Sequence, residues 1–182
     1  MEIDVIIPLY KPGKELFILL DRLQEQTLPI KNIILMNTEE KYFAKLTYGT
    51  DFAHKYKNVS VYHLSKKEFD HGRTRRAGVS KSKAPVFVMM TQDAMPQDTE
   101  LLEKLTARLQ GNVAVAYGRQ LAGRESSVLE RFSRQFNYPP RSRMKSAADL
   151  QKNAAKRVNP QRFVDTGLFR MVRCPNYFGE ML

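Results

Sequence analysis

Ile3-Asp4-Val5-Ile6-Ile7-Pro8-Leu9 is a near-continuous apolar run, closed by Lys11-Pro12-Gly13. A strand buried on both faces reads this way, because neither face keeps polar positions for water. The next segment, Lys14–Gln26, sets Leu16, Leu19, Leu20 and Leu23 on one helical stripe and is stopped by Pro29. The alternation then repeats. Asn32–Met36 reads as a second buried strand ending in Asn37-Thr38-Glu39-Glu40, and Tyr42–Tyr56 as a weak helix interrupted at Gly49. Val59–Leu64 reads as a third strand, Gly72–Lys83 as a helix after a turn, and Val86–Met90 as a fourth strand ending in Thr91-Gln92-Asp93-Ala94. Asp98 is a plausible N-cap for a helix over Thr99–Gln110, where Leu101, Leu105 and Leu109 recur at i, i+4, i+8. Val113–Tyr117 is expected as a fifth strand. Strand and helix in alternation predict an α/β domain with a mainly parallel sheet, whose ligands bind at the carboxyl ends of the strands.

The composition agrees with one globular domain of ordinary size: 182 residues, 42% hydrophobic and 27% charged. The single cysteine, Cys174, excludes an internal disulfide and points to a reducing compartment. No Cys/His cluster suggests zinc. No apolar run approaches the ~18–20 residues of a membrane-crossing helix. The acidic start Met1-Glu2-Ile3-Asp4 is unlike a signal peptide. The net charge of +11 is uneven: −1 over residues 1–50, +3 over 51–100, +5 over 101–150 and +4 over 151–182. Such a surface seeks a polyanion, whether nucleic acid, an anionic membrane or a phosphorylated small molecule.

Polar residues cluster where the strands end. Phe69-Asp70-His71-Gly72-Arg73-Thr74-Arg75-Arg76 puts three arginines and a glycine at a strand-to-helix turn. A helix N-terminus with bidentate arginine donors suits a diphosphate. The bland alternative is a solvated basic face. Met90-Thr91-Gln92-Asp93-Ala94-Met95-Pro96 puts one carboxylate at the end of a buried strand, which suits a divalent cation bridging phosphate oxygens or a simple turn. Tyr10 can pack on a base or only cap the sheet edge. His71 reads more readily as a packing or turn histidine than as a catalyst. His54 and His63 read as a surface and a strand residue, and Cys174 as inert.

With these segments in order, residues 1–150 resemble family 2 glycosyltransferases of the GT-A fold, and among them bacterial rhamnosyltransferases of cell-wall and surface polysaccharides. The matching segments are Val5-Ile6-Ile7-Pro8-Leu9-Tyr10, Asn37-Thr38-Glu39, Phe69–Arg75 and Thr91–Pro96, with Arg119-Gln120 and Phe136-Asn137-Tyr138-Pro139 also similar. The resemblance implies a GT-A (Rossmann-like), mainly parallel sheet flanked by helices. It implies transfer of a sugar from a nucleoside diphosphate donor to a polysaccharide or lipid-linked acceptor hydroxyl, with dTDP-rhamnose the favoured donor. It assigns nucleotide-sugar binding to Pro8, Leu9, Tyr10, Asn37, Glu39, His71, Gly72, Arg75, Arg76, Gln92 and Asp93. It also makes Asp93 the ligand of Mg²⁺ or Mn²⁺, the cofactor it implies. Three departures stand out: Thr91 where the family's first Asp would be, Asn37 where many members carry Asp, and Arg76 where an Asn usually follows Arg75. The resemblance further implies a cytoplasmic protein with a peripheral contact at the inner membrane face and no nucleic-acid partner.

The C-terminal part reads differently. Family members continue past this length, and their second half carries the catalytic base, so no catalytic residue is assigned here. Asp149-Leu150-Gln151-Lys152, Arg162–Arg170 and Arg173–Glu180 resemble the C-terminal motif of steroid 5-alpha-reductase-like membrane proteins. The expected division is therefore an incomplete nucleotide-sugar-binding domain over residues 1–147 and an unrelated or poorly packed basic tail over 148–182. Two other readings stay open. One is a nucleotide-binding module without turnover; the other is a nucleic-acid-binding protein, for which no recognition motif is present.

Overall fold

The computed structural model describes residues 1–123, 126–138, 141 and 144. Two compact units divide the chain, Met1–Ala116 and Tyr117–Leu182.

The first unit holds β1 (Ile3–Tyr10), α1 (Glu15–Gln24), β2 (Asn32–Thr38), α2 (Glu40–Thr47), α3 (Phe52–Lys55), β3 (Val59–Leu64), α4 (His71–Lys81), β4 (Val86–Met89) and α5 (Leu101–Thr106). The four strands form one sheet in the order β3-β2-β1-β4, and every pairing is parallel. The α/β fold expected from the alternation is therefore the observed one. The order runs outward from β1 to β2 and β3, then returns to β1's other side with β4. β1 and β4 thus flank a topological switch point, where strands part at their carboxyl ends and leave a crevice.

Both faces of the sheet are covered, which explains the unbroken apolar runs. Val5, Ile7, Leu9, Ile33 and Leu35 point to one face, where the α1 leucines 16, 19, 20 and 23 close over them with Phe43 and Leu102. Ile6, Ile34 and Met36 point to the other face, under Ala77 and Val79 of α4. The period of two along each strand sorts the residues between the layers. Helix α4 lies unusually close. A Cβ added at Gly78 would stand 2.5 Å from Ile6 Cγ2 and 3.2 Å from Met36 Cγ, so only glycine fits there.

Buried polar side chains fasten the connections at the amino edge. Asp4 is 2% exposed, and its Oδ2 accepts from the Ser82 hydroxyl at 2.7 Å and from the N–H groups of Lys83 at 2.9 Å and Ala84 at 3.2 Å. Gln26 docks α5 by donating to the Asp98 carbonyl and accepting the Leu102 N–H. On the α1 face, Tyr56 and Lys55 both donate to Asp21. Burial alone would raise the Asp21 carboxyl, but those two donors outweigh it and hold it below its usual range.

Two expectations are corrected. Val113–Tyr117 is not a strand. Its apolar side chains gain no pleated, half-buried surface: Val115 is 43% and Tyr117 52% exposed. Asp98 is not the residue at the α5 cap position. Glu100 is, and the Asp98 carboxylate, two residues earlier, accepts the Glu100 N–H at 3.0 Å.

In the second unit, α6 (Val128–Asn137) begins at Ser127, whose hydroxyl accepts the Glu130 N–H. Arg134 of α6 donates to Glu130 and to Gln120. The expected tail over residues 148–182, with Asp149, Asp165 and Cys174, lies outside the described residues. Among the described residues no helix is long and apolar enough to cross a membrane.

Candidate functional site

Parallel strands deliver their following loops to one edge, so the polar clusters after β1, β2, β3 and β4 share the carboxyl edge of the sheet. Two non-glycine residues in the first unit have left-handed backbone, Lys11 (φ 48°) and Glu39 (φ 68°), directly after β1 and β2. That conformation costs a side-chain-bearing residue about 1–2 kcal/mol, a kind of strain that collects at functional edges.

At the switch point, Tyr10 ends β1 38% exposed, with Leu9 behind it in the core. Leu9 has its side chain in the core, so what it brings to the edge is backbone. The Tyr10 ring meets Tyr42 edge-on at 6.0 Å, and the Lys11 ammonium stands 5.3 and 5.5 Å from the two ring centres. Lys11 lies in the strand-end cluster with Tyr10, whereas the sequence does not single out Tyr42, because its meeting with Tyr10 depends on how α2 packs after β2.

The Gln92 side chain is engaged with the backbone of Tyr10. Its Oε1 accepts the Tyr10 N–H at 2.9 Å, and its Nε2 donates to the Tyr10 carbonyl at 3.1 Å. Asp93, the next residue, is exposed in a turn closed by the Ala94 N–H to the Thr91 carbonyl. Pro96 is buried, and its carbonyl accepts from Arg22 at 2.8 Å, which ties the turn to α1.

The ends of β2 and β3 are linked through Asn37 and Glu39. Asn37 is fully buried, and its amide nitrogen lies 2.9 Å from His63 Nδ1, its register partner on β3. Glu39 accepts the Lys66 N–H at 2.8 Å and pairs with Lys41 at 3.3 Å. The Lys66 amide first, and then Lys41, hold its carboxyl below the usual range. Asn37 is thus engaged with β3 and Glu39 with the loop that follows it.

Helix α4 opens at the same edge. Asp70 caps it, its Oδ1 accepting the Arg73 N–H at 2.7 Å, and the Phe69 and His71 rings meet edge-on at 4.8 Å. Gly72 sits in this first turn, half-buried. Of the three arginines, Arg73 and Arg76 are exposed, whereas Arg75 is 6% exposed with Nη1 donating to the His71 carbonyl. The expected phosphate contact at Arg75 is therefore a buried guanidinium beside its own helix, and the exposed pair are Arg73 and Arg76. Pro8, half-buried, carries no N–H where β1 and β4 part.

Four buried side-chain atoms at this edge have no partner: Asn37 Oδ1, Thr38 Oγ1, Thr74 Oγ1 and Thr91 Oγ1. Buried polar atoms are nearly always satisfied, so each of these four marks a place that water or a ligand can fill. Among the described residues no group of three or more His, Cys, Asp or Glu side chains is assembled for a metal. Asp93 alone fits a hard cation that keeps waters and phosphate oxygens as its other ligands, as Mg²⁺ does.

The family described as Glycosyl transferase family 2 matches residues 4–177. That span crosses the division expected between residues 147 and 148. The O-antigen chain rhamnosyltransferase RfbN of Salmonella typhimurium is 32% identical over 160 residues, 87% of this chain and 49% of that protein. The O-antigen chain rhamnosyltransferase WbaN of Salmonella anatum is 33% identical over 97 residues, 52% of this chain and 31% of that one. The chain thus spans about half the length of the first relative and under a third of the second. A solved structure, S. aureus TarS 1–349, is similar at a TM-score of 0.49 and 19% identity, over 60% of this chain and 32% of that one.

Proposed function

The chain belongs to glycosyl transferase family 2, and on that footing we propose that it binds a nucleoside diphosphate sugar for transfer to a polysaccharide or lipid-linked acceptor. The donor is a pyrimidine nucleotide sugar, with dTDP-rhamnose favoured by the similarity to O-antigen chain rhamnosyltransferases. One observation carries the reading. At the switch point of a parallel sheet, Tyr10 and the Gln92-Asp93 turn meet across the crevice, 82 residues apart in sequence. This is where an open α/β sheet receives a nucleotide.

The roles follow from the chemistry of each side chain. The Tyr10–Tyr42 pair offers an aromatic wall to the base. Arg73, Arg76 and the first turn of α4 supply positive charge for the diphosphate. Asp93 would hold Mg²⁺ or Mn²⁺, which when bound neutralises charge on the departing diphosphate. In the transfer the bond from the sugar carbon to the diphosphate oxygen breaks and a bond to the acceptor oxygen forms. The acceptor's proton passes to a base that no residue is assigned here. Residues 1–147 carry this donor site. The acceptor chemistry favours a peripheral protein on the cytoplasmic side of the membrane, with no nucleic-acid partner.

The test is a thermal-shift panel of dTDP, UDP, CDP and GDP with and without Mn²⁺. Ligand at ~100-fold its Kd should add about 2.7 kcal/mol of stability. The pyrimidine diphosphates should shift the midpoint most, and Asp93→Ala should remove only the metal-dependent part. Equal metal-dependent shifts in wild type and Asp93→Ala would overturn the assignment.

A further inference from the structure

The backbone around the switch point shows what Gln92 is for. Ladder pairing between β1 and β4 runs from Ile3↔Val86 to Ile6↔Met89, and the Met90 N–H to the Ile6 carbonyl at 3.0 Å closes it. β1 continues to Tyr10 against β2 alone. Along a strand, alternate residues turn their N–H and C=O to the same neighbour. Ile6 turns toward β4, so Pro8 and Tyr10 do too. Pro8 has no N–H to satisfy. Tyr10 has one donor and one acceptor left where β4 has gone, and the Gln92 side chain takes both. A primary amide carries a carbonyl and, syn to it, an N–H that point to the same side, whereas in a trans main-chain peptide they point apart, so one side chain meets both Tyr10 groups where β4 has gone.

We propose that Gln92 is a positioning residue: its amide takes both free groups of Tyr10 and locks Tyr10 and Asp93 into one rim of the crevice. The inference rests on the proposed nucleotide site and assigns Gln92 a role different from direct ligand contact. Its consequence is coupling. The base end of the ligand leans on Tyr10 and the diphosphate end on Asp93, so each orders the rim for the other. Without the lock, nucleoside and metal bind as nearly independent events.

Gln92→Met keeps the side-chain length and removes both bonds, and Gln92→Ala is a second variant should Met disturb packing. Two measurements apply to wild type and variants: calorimetric titration of dTDP, dTMP and thymidine with and without Mn²⁺, and amide hydrogen exchange at Tyr10. Loss of both hydrogen bonds predicts about a tenfold or greater fall in the Mn²⁺ enhancement of dTDP affinity. Thymidine affinity should change much less, and the Tyr10 amide should exchange faster while the strand core stays protected. An unchanged Mn²⁺ enhancement, or an unchanged Tyr10 amide, in wild type and both variants overturns the positioning role while leaving the nucleotide site standing. Equal losses for thymidine and dTDP overturn it too, by pointing to direct base contact. A wild-type chain that binds none of the nucleotides overturns the proposed site and this inference together.

Discussion

At the amino edge of the sheet, Asp4 Oδ2 collects three donors from the chain entering β4, and both ends of the Gln26 amide are engaged in seating α5. At the carboxyl edge, Asn37 Oδ1, Thr38 Oγ1, Thr74 Oγ1 and Thr91 Oγ1 are buried with no partner, and the left-handed residues Lys11 and Glu39 sit beside them. The residue chemistry is similar at both ends. The amino edge uses it to close the fold, although even there Asp4 Oδ1 lacks a partner. The carboxyl edge holds polar groups and strain in reserve, as an edge that receives a ligand does.

The largest expected effect tests the closed edge. Asp4→Ala strands the partly buried Lys83 and Ala84 N–H groups, and a donor left unsatisfied costs up to about 1–3 kcal/mol when fully buried. Urea unfolding should show a loss of about 3 kcal/mol in all. The nucleoside diphosphate affinity of the folded protein should stay as in wild type. A loss below about 1 kcal/mol would mean that water replaces the carboxylate and that this edge is less closed than its bonds imply.

Helix α4 joins the edges, from His71 at the carboxyl side to Lys81 beside the Asp4 clamp. Gly78→Ala would press a methyl on Ile6, which is fully buried and cannot yield. Overpacking costs typically 1–3 kcal/mol, partly offset by the roughly 1 kcal/mol that alanine gains over glycine in a helix. The expected net loss is about 0–2 kcal/mol by thermal unfolding. Unlike Asp4→Ala, it should also weaken dTDP binding, because the helix start moves with the helix. Loss of stability with unchanged affinity would show that the first turn of α4 does not serve the ligand.

These two edges were unequally legible in the sequence. The four strands were read to within two residues of their ends, because burial on both faces leaves continuous apolar runs such as Val5–Leu9. Val113–Tyr117 has the same composition, and nothing in it shows that no sheet position awaits it. The strand-end clusters pointed to the right edge of the sheet. The individual roles did not follow, because they depend on long-range pairing. Gln92 meets Tyr10 across 82 residues, and Asn37 meets His63 only through the β2–β3 register. Arg75 looked like its neighbours Arg73 and Arg76. The buried stripe of α4 runs through Thr74, Arg75 and Gly78 rather than leucines, so no apolar pattern marked it.

Strain at the open edge has its own test. Lys11→Gly relieves a left-handed backbone, gaining about 1–2 kcal/mol less the roughly 0.5–1 kcal/mol entropic cost of glycine. Stability should therefore rise by about 0.5–1 kcal/mol. The same change removes the ammonium beside Tyr10 and Tyr42, so nucleotide affinity should fall. A stabilised variant that binds as well as wild type would separate the strain from function.

The smallest effect is the sharpest discriminator. Thr91 Oγ1 is buried without a partner, one residue before the Gln92 lock and two before Asp93. Thr91→Val keeps the shape and deletes that hydroxyl. An unsatisfied buried group contributes nothing favourable to the free protein, so folding stability should change by less than about 0.5 kcal/mol or rise slightly. A hydroxyl that meets its partner only when ligand arrives contributes about 1 kcal/mol at that moment, so dTDP with Mn²⁺ should bind roughly fivefold more weakly. The two readings are measured separately, by unfolding without ligand and by titration with it. A destabilisation above about 1 kcal/mol without ligand would mean that water already satisfies Thr91 and that this part of the edge is as closed as the Asp4 clamp. Unchanged affinity would mean that the vacant hydrogen bond points away from the ligand. A stable variant with weakened binding is the outcome that a polar group held for a ligand requires.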